Sequence, residues 1–212
     1  MPDRPDWMRP QGRPWTCLSR KAVFDNPWIT VDQCETVAPT GRPAHYGMIH
    51  FKNRAIGVLP LFENGDILLV GQHRFPAADY AWEIPEGGGL LREDPLVAAK
   101  RELREETGLA AAEWRQVLRF QLSNSVTDEE GYGFLALGLS PGVAAPDETE
   151  VFAIKRVAFS QALRLALEGA MLDMITVAML LRAYHLAREG LLPGPLARRM
   201  LGEGEGQTEI QT

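Results

Sequence analysis

The stretch GGGLLREDPLVAAKRELREETGL, residues 87–109, decides the reading of this chain. Asp94 is a favoured N-cap residue, and Pro95 suits the first helical position, where a missing N–H costs nothing. Gly108 suits the left-handed residue that closes a helix. A helix is therefore expected from Asp94 to about Glu106. On it Glu102, Glu105 and Glu106 are spaced i, i+3, i+4 and share one face. Leu96, Ala99 and Leu103 form an apolar stripe roughly a quarter-turn away, suited to packing on a sheet.

The carboxylate face is locally unfavourable. Like charges at these spacings cost roughly 0.2–0.5 kcal/mol per pair, and Glu105 and Glu106 lie where the helix dipole disfavours anions. Such a breach of local rules often marks a functional site. A hard divalent cation, which prefers oxygen ligands, reverses the sign of the cost. A solvated acidic face is the plainer reading of a bare EE-x-G. The longer pattern is G-x5-E-x7-R-E-U-x-E-E-x-G-U, with U a bulky apolar residue. It is met at Gly87, Glu93, Arg101, Glu102, Leu103, Glu105, Glu106, Gly108 and Leu109. Average residue usage would match it by chance on the order of 10⁻⁹ per start position.

At every specified position this pattern resembles the signature of the Nudix hydrolases. The resemblance implies an α/β fold, an α/β/α sandwich on a mixed sheet, and hydrolysis of a nucleoside diphosphate linked to another moiety. It implies Glu102, Glu105, Glu106 and the backbone carbonyl of Glu86 as metal ligands. The ion would be Mg²⁺, with Mn²⁺ as a substitute. Arg101 and Glu93 would support the loop and helix, and Glu102 and Arg101 belong to the catalytic set. Gly87 would let the backbone turn tightly toward the metal. Divalent ions neutralise a polyanionic diphosphate and lower the pKa of a bound water. No G-x-S-x-G nucleophile motif is present.

The surroundings resemble the ADP-ribose pyrophosphatase branch of that family. QHRFP-x3-Y-x-WEIPEG (72–87) places Arg74 as a phosphate or ribose contact and Glu83 as a ribose or base contact. SNSVTDEEGY (123–132) resembles the loop of the catalytic base, at Glu129, with Asp128 or Glu130 as register alternatives. NPWITVDQCETVAPTGRPAHY (26–46) resembles an N-terminal strand extension that crosses a two-fold dimer and sandwiches the base. Trp28 stands at the matching aromatic position and Tyr46 is a second possibility. Many ADP-ribose enzymes carry a proline past the signature where Ser125 stands here. The resemblance implies ADP-ribose to AMP and ribose 5-phosphate as the expected reaction, and this departure makes a GDP-sugar or another nucleoside diphosphate derivative the alternative. A non-catalytic nucleotide-sensing module would be expected to have lost signature carboxylates, and none is lost.

Outside these segments, ITVDQCETV (29–37), HYGMIHF (45–51), WRQVLRFQL (114–122) and GYGFLALGL (131–139) read as strands. AIGVLPLF (55–62) and DILLVGQHRF (66–75) read as a hairpin about Asn64-Gly65. Helices are expected from a Ser160 cap and over the apolar segment ending at Gly190, with Met171, Met174 and Met179 packing it onto the domain. The expected organisation is a flexible tail (1–14), an N-terminal strand extension for dimerisation and base binding (15–53), the Nudix domain (54–190) and a flexible C-terminal tail (191–212).

Composition bounds the partners. The chain has 212 residues and a net charge of −6, which argues against a uniformly basic nucleic-acid binder. Cys17 and Cys34 form no C-x-x-C pair, which argues against a disulfide framework or zinc site and fits a reducing cytoplasm. The most apolar run, 170–181, is too short to span a bilayer. His45, His50, His73 and His185 lack metal-ligand spacing and read as structural or surface groups. A soluble cytoplasmic homodimer acting on a small nucleotide sugar, with neither nucleic acid nor membrane as partner, is the resulting expectation.

Overall fold

The structure, a computed structural model, describes residues 5–142 and 152–203. The tails expected at both ends lie partly outside these residues. The chain forms two compact units. One joins Met1–Lys52 to Leu122–Glu129, and the other comprises Asn53–Gln121 and Glu130–Thr212. The loop Leu122–Glu129 thus belongs with the N-terminal strands, although the sequence reading placed it in the following domain.

The first unit is an antiparallel sheet in the order β1 (Thr16–Asp25), β2 (Ile29–Val37), β3 (Pro43–Phe51). The β1–β2 turn is held by Asn26, whose side-chain oxygen accepts from the amides of Trp28 at 2.9 Å and Ile29 at 2.8 Å. Strand β1 is exposed along its whole length and forms the sheet edge. Beside β3, Ile49 donates its amide to the Val126 carbonyl at 2.9 Å, and the Asp128 amide donates to the Ile49 carbonyl at 3.2 Å.

The second unit contains β4 (Asn53–Pro60), β5 (Asp66–Arg74), β6 (Asp79–Glu83), β7 (Glu86–Leu90), α1 (Pro95–Thr107), β8 (Leu109–Gln121), β9 (Glu130–Pro141), β10 (Ala153–Ala158), α2 (Phe159–Leu167), α3 (Met174–Arg188) and α4 (Gly194–Met200). Its four-stranded sheet has the order β7-β4-β9-β8 and is mixed, because β4 and β9 run parallel while the other pairs are antiparallel. A second, antiparallel sheet has the order β10-β5-β6.

Alternation along β4 and β9 sets the layers. Ile56, Val58, Phe134 and Ala136 pack with Ala98, Ala99 and Leu103 of α1. Each fully buried Ile or Leu there contributes about 1.5–3 kcal/mol. The intervening glycines face α3: a Cβ on Gly57 would lie 2.6 Å from Ile175, and one on Gly133 would run into Met179. Helices therefore cover both faces of the mixed sheet, as the α/β/α reading requires.

The helix α1 follows its local signals. The Asp94 side chain accepts from the Leu96 amide at 2.8 Å, Pro95 opens the helix, and Gly108 closes it at φ 68. Other local readings were overridden. The expected hairpin has its turn, with Gly65 at φ 84, but β4 and β5 enter different sheets, and next to the turn there is the isolated bridge Leu61↔Ile67, with Leu61 just past β4. Strand β4 is buried from Ile56 to Pro60 and lies inside its sheet, with β7 and β9 as ladder partners rather than the hairpin neighbour.

Ser160 does not cap α2. Ala158 holds that position without a side-chain bond, and the Phe159 amide is satisfied by the Gly65 carbonyl at 3.1 Å. Of the three methionines, Met171 and Met179 are buried and Met174 is exposed. The expected C-terminal tail contains α4, because Leu192, Leu196 and Met200 recur every four residues and are buried. That helix lies against the Gly65 turn, and the Arg199 guanidinium donates to the Glu63 carbonyl at 2.8 Å.

Candidate active site

The carboxylates of α1 sit under the glycine-rich strand β7. Glu102 and Glu106 are buried, and Glu105 is half-exposed. Arg101 organises them: one guanidinium nitrogen donates to Glu102 Oε1 at 2.7 Å and to Glu105 Oε2 at 3.0 Å. Its other terminal nitrogen donates to the Gly88 carbonyl at 2.7 Å and lies 3.8 Å from Glu93. Glu93 also accepts from the Leu90 amide at 3.3 Å, closing the turn between β7 and α1. The Glu86 amide donates to Glu106 Oε2 at 3.1 Å. A Cβ on Gly87 would fall 2.7 Å from Glu102 Oε1, so no larger residue fits without moving the carboxylate.

A second acidic group lies in the same unit. The Arg74 Nε donates to Glu83 Oε2 at 2.9 Å and its Nη2 to the same oxygen at 2.6 Å, while Nη2 also pairs with Glu86 Oε1. Asp173 completes the group, and carboxylate oxygens of Glu83, Glu86 and Asp173 lie within 4.8 Å of one another. Glu86 Oε2 is buried with no hydrogen-bond partner among the described residues. Burial, then the charges of Asp173 and Glu83, hold the Glu86 carboxyl well above the usual carboxylate range against the pull of Arg74. Here the all-oxygen donors, the surplus of acidic groups and the orphaned buried oxygen, and at α1 the Gly87 cradle over Glu102, fit a hard divalent cation.

Sequence reasoning singled out Arg74 and Glu83 as separate substrate contacts, and the structure pairs them with each other. It singled out the Glu86 carbonyl and missed the Glu86 side chain. It also missed Asp173, which lies inside the apolar run 170–181. An acid directly before a helical pattern is a cap signal, and Asp173 accepts from the Thr176 amide at 2.6 Å.

The three loop acids differ in environment. Asp128 Oδ1 accepts from the Phe51 amide at 3.0 Å, and Oδ2 lies 2.5 Å from His50 Nδ1. Burial opposes ionisation there, but these bonds prevail and hold Asp128 below its ordinary value. Glu130 is engaged by Arg119 and by the Tyr132 hydroxyl at 2.9 Å; burial again opposes, and the bonds win. Among the described residues no side-chain bond holds the Glu129 carboxylate, and burial followed by the neighbouring Asp128 charge pushes it up.

In the N-terminal unit Trp28 is 63% exposed. Tyr46 instead lines a cavity of about 290 Å³ with Trp15, Arg20, Cys34 and Met48. Its ring meets Trp15 edge-on at 5.2 Å between centroids. Trp15 opens the expected extension 15–53, but no motif around it marked it as a contact.

An α/β/α sandwich that draws three glutamates and an arginine of one helix under a glycine-rich strand defines a hydrolase class. The chain belongs to the Nudix family, whose NUDIX domain matches residues 51–176, and it is a hydrolase of the ADP-ribose pyrophosphatase branch. It is 30% identical over 146 residues to the ADP-ribose pyrophosphatase of Mycobacterium tuberculosis, covering 67% of this chain and 70% of the relative. It is likewise 30% identical over 183 residues to the CMP-5'-(N-acetyl-N-hydroxy-3-aminopropyl)phosphonate hydrolase of Streptomyces rubellomurinus, covering 85% of this chain and 87% of the relative. A crystal structure of an ADP compounds hydrolase shares the fold, with a TM-score of 0.77 at 19% identity over 87% of this chain and all of that one. No helix among the described residues is long and apolar enough to cross a membrane.

Proposed function

We propose that the protein hydrolyses the diphosphate bond of a nucleoside diphosphate sugar with the help of Mg²⁺, and that ADP-ribose, giving AMP and ribose 5-phosphate, is its substrate. The observation that carries this reading is the α1 face, where Glu102 and Glu106 are buried and Arg101 ties Glu102 and Glu105 to the Gly88 loop. Like charges gathered and buried at this cost suit a site that takes a cation. Relatives that are ADP-ribose pyrophosphatases support the substrate.

In this reading Glu102, Glu105, Glu106 and the Glu86 carbonyl hold the ion. When bound, it supplies charge neutralisation on the non-bridging oxygens and an acidified water. Glu129 accepts the proton of the attacking water at its carboxylate, a role suited to an acid whose pKa is raised toward the working pH. Arg101 orients Glu102 and Glu105, and Arg74, held by Glu83 through Nε and Nη2, offers its positive charge and remaining donors to a phosphate or ribose oxygen. Tyr46, from its cavity, and the exposed Trp28 offer aromatic faces for the base. The exposed edge strand β1, with Leu18, Val23 and Phe24 uncovered, supports a homodimer in which a second copy covers it. The reading also keeps the protein in the cytoplasm.

A second reading, hydrolysis of another nucleotide conjugate, is favoured by the Streptomyces phosphonate hydrolase, whose similarity covers more of this chain than that of the mycobacterial enzyme. The test is a panel of ADP-ribose, GDP-mannose and CMP-linked conjugates, each with Mg²⁺ and with chelator. Metal-dependent release of AMP and ribose 5-phosphate is expected, together with a loss of kcat by orders of magnitude in a folded Glu106→Gln variant. Near-normal turnover by that variant removes Glu106 from the site. Ligand binding without turnover in calorimetry points to a sensing module instead.

A further inference from the structure

The loop Leu122–Glu129 is held by β3 through one residue in particular. Asp128 is fixed at three atoms by three successive β3 residues. Its amide donates to the Ile49 carbonyl at 3.2 Å, its Oδ2 lies 2.5 Å from His50 Nδ1, and its Oδ1 accepts from the Phe51 amide at 3.0 Å. On the other side of the imidazole, His50 Nε2 lies 3.0 Å from Oδ2 of Asp32. Asp32 is buried at 5% exposure on β2, where it also lies 3.4 Å from the Arg20 Nε.

The geometry constrains the ring. A carboxylate oxygen lies within hydrogen-bond distance of each imidazole nitrogen, so the ring stands between two acidic side chains. The Arg20 Nη1 also lies within hydrogen-bond distance of Nε2, at 3.2 Å. Arg20, Asp32 and Asp128 are the charged groups that face the ring from β1, β2 and the loop, so its bonds run to charged partners. Such charge-assisted bonds are about twice as strong as neutral ones. Glu129 follows Asp128 directly, so an Asp128 held at three points fixes where the Glu129 backbone starts.

We propose that His50 is a positioning residue for hydrolysis: bridging buried Asp32 and loop Asp128, it holds the loop that presents Glu129. The proposal rests on the reading of Glu129 as the base. His50 touches neither substrate nor reacting atoms; it acts through Asp128 on Glu129. Misplacing a reacting group by about 1 Å costs about 10²-fold in rate.

The experiment is a double-mutant cycle on the full chain, with kcat and KM measured for ADP-ribose and folding monitored by circular dichroism and thermal melting. His50→Ala is expected to lower kcat about 10²-fold while leaving KM nearly unchanged. In a Glu129→Gln background the same substitution is expected to have little further effect, because the group it positions is already disabled. If His50→Ala does not fold at the assay temperature, His50→Gln, which keeps the volume and one donor, carries the same comparison. Wild-type kcat in the folded His50 variant, or an equal further loss on top of Glu129→Gln, overturns the positioning role and leaves the base reading intact. Wild-type kcat in Glu129→Gln itself overturns both.

Discussion

Arg101 donates to the Gly88 carbonyl at 2.7 Å with the guanidinium that also holds Glu102 and Glu105. One helix side chain therefore joins the glycine-rich strand to two carboxylates of α1. The planar fork makes this possible, since its donors point in fixed and different directions.

Arg101→Lys keeps the charge but not the fork. A lysine ammonium cannot span two carboxylates and a carbonyl in this geometry. The expected result is a fall in activity or metal affinity of about 10–100-fold, the usual cost of losing a group that orients ligands. Isothermal titration with Mn²⁺ and steady-state kinetics measure it, and an unaltered variant would remove Arg101 from the orienting role.

Gly87→Ala inserts a methyl group 2.7 Å from Glu102 Oε1. Overpacking of this kind costs about 1–3 kcal/mol, and the displaced carboxylate should lower kcat about 10²-fold. Gly47→Ala is the control for stability, because its added Cβ meets nothing within 4 Å. Equal urea midpoints for the two variants would show that Glu102 yields without cost.

Glu86 sets a pH dependence. Burial, then the Asp173 and Glu83 charges, raise its carboxyl well above the ordinary value. The folded protein keeps this proton above about pH 4.3, where the unfolded chain releases it. The folded state then binds more protons, so stability falls as pH rises through that window to the folded pKa. In chelator, Glu86→Gln is expected to melt higher than the parent on the alkaline side and to lose part of this slope. Calorimetric scans across pH test this, and parallel curves for parent and variant would contradict it.

Asp94→Ala removes the acceptor of the Leu96 amide at the start of α1. The cost should be about 1 kcal/mol in urea denaturation. Asp94→Asn, which retains an acceptor, should recover most of it; an Asn variant as weak as Ala would assign the effect to charge rather than capping.

What the amino-acid order determined by itself is what lies within one element. The Asp94 cap, the Gly108 stop at φ 68 and the common face of Glu102 and Glu106 follow from helical periodicity, which spacing alone specifies. The tertiary structure decided what depends on which strand lies beside which. The Asn64-Gly65 turn was legible, yet the strands on either side of it entered different sheets, because ladder partners are chosen by burial across the whole unit. Arg74, Glu83, Glu86 and Asp173 come from three strands and a helix cap, and no local period relates them. His50 read as an ordinary histidine until folding set its two nitrogens against Asp32 and Asp128, since a side chain's partners are fixed by long-range packing and not by its neighbours in the chain.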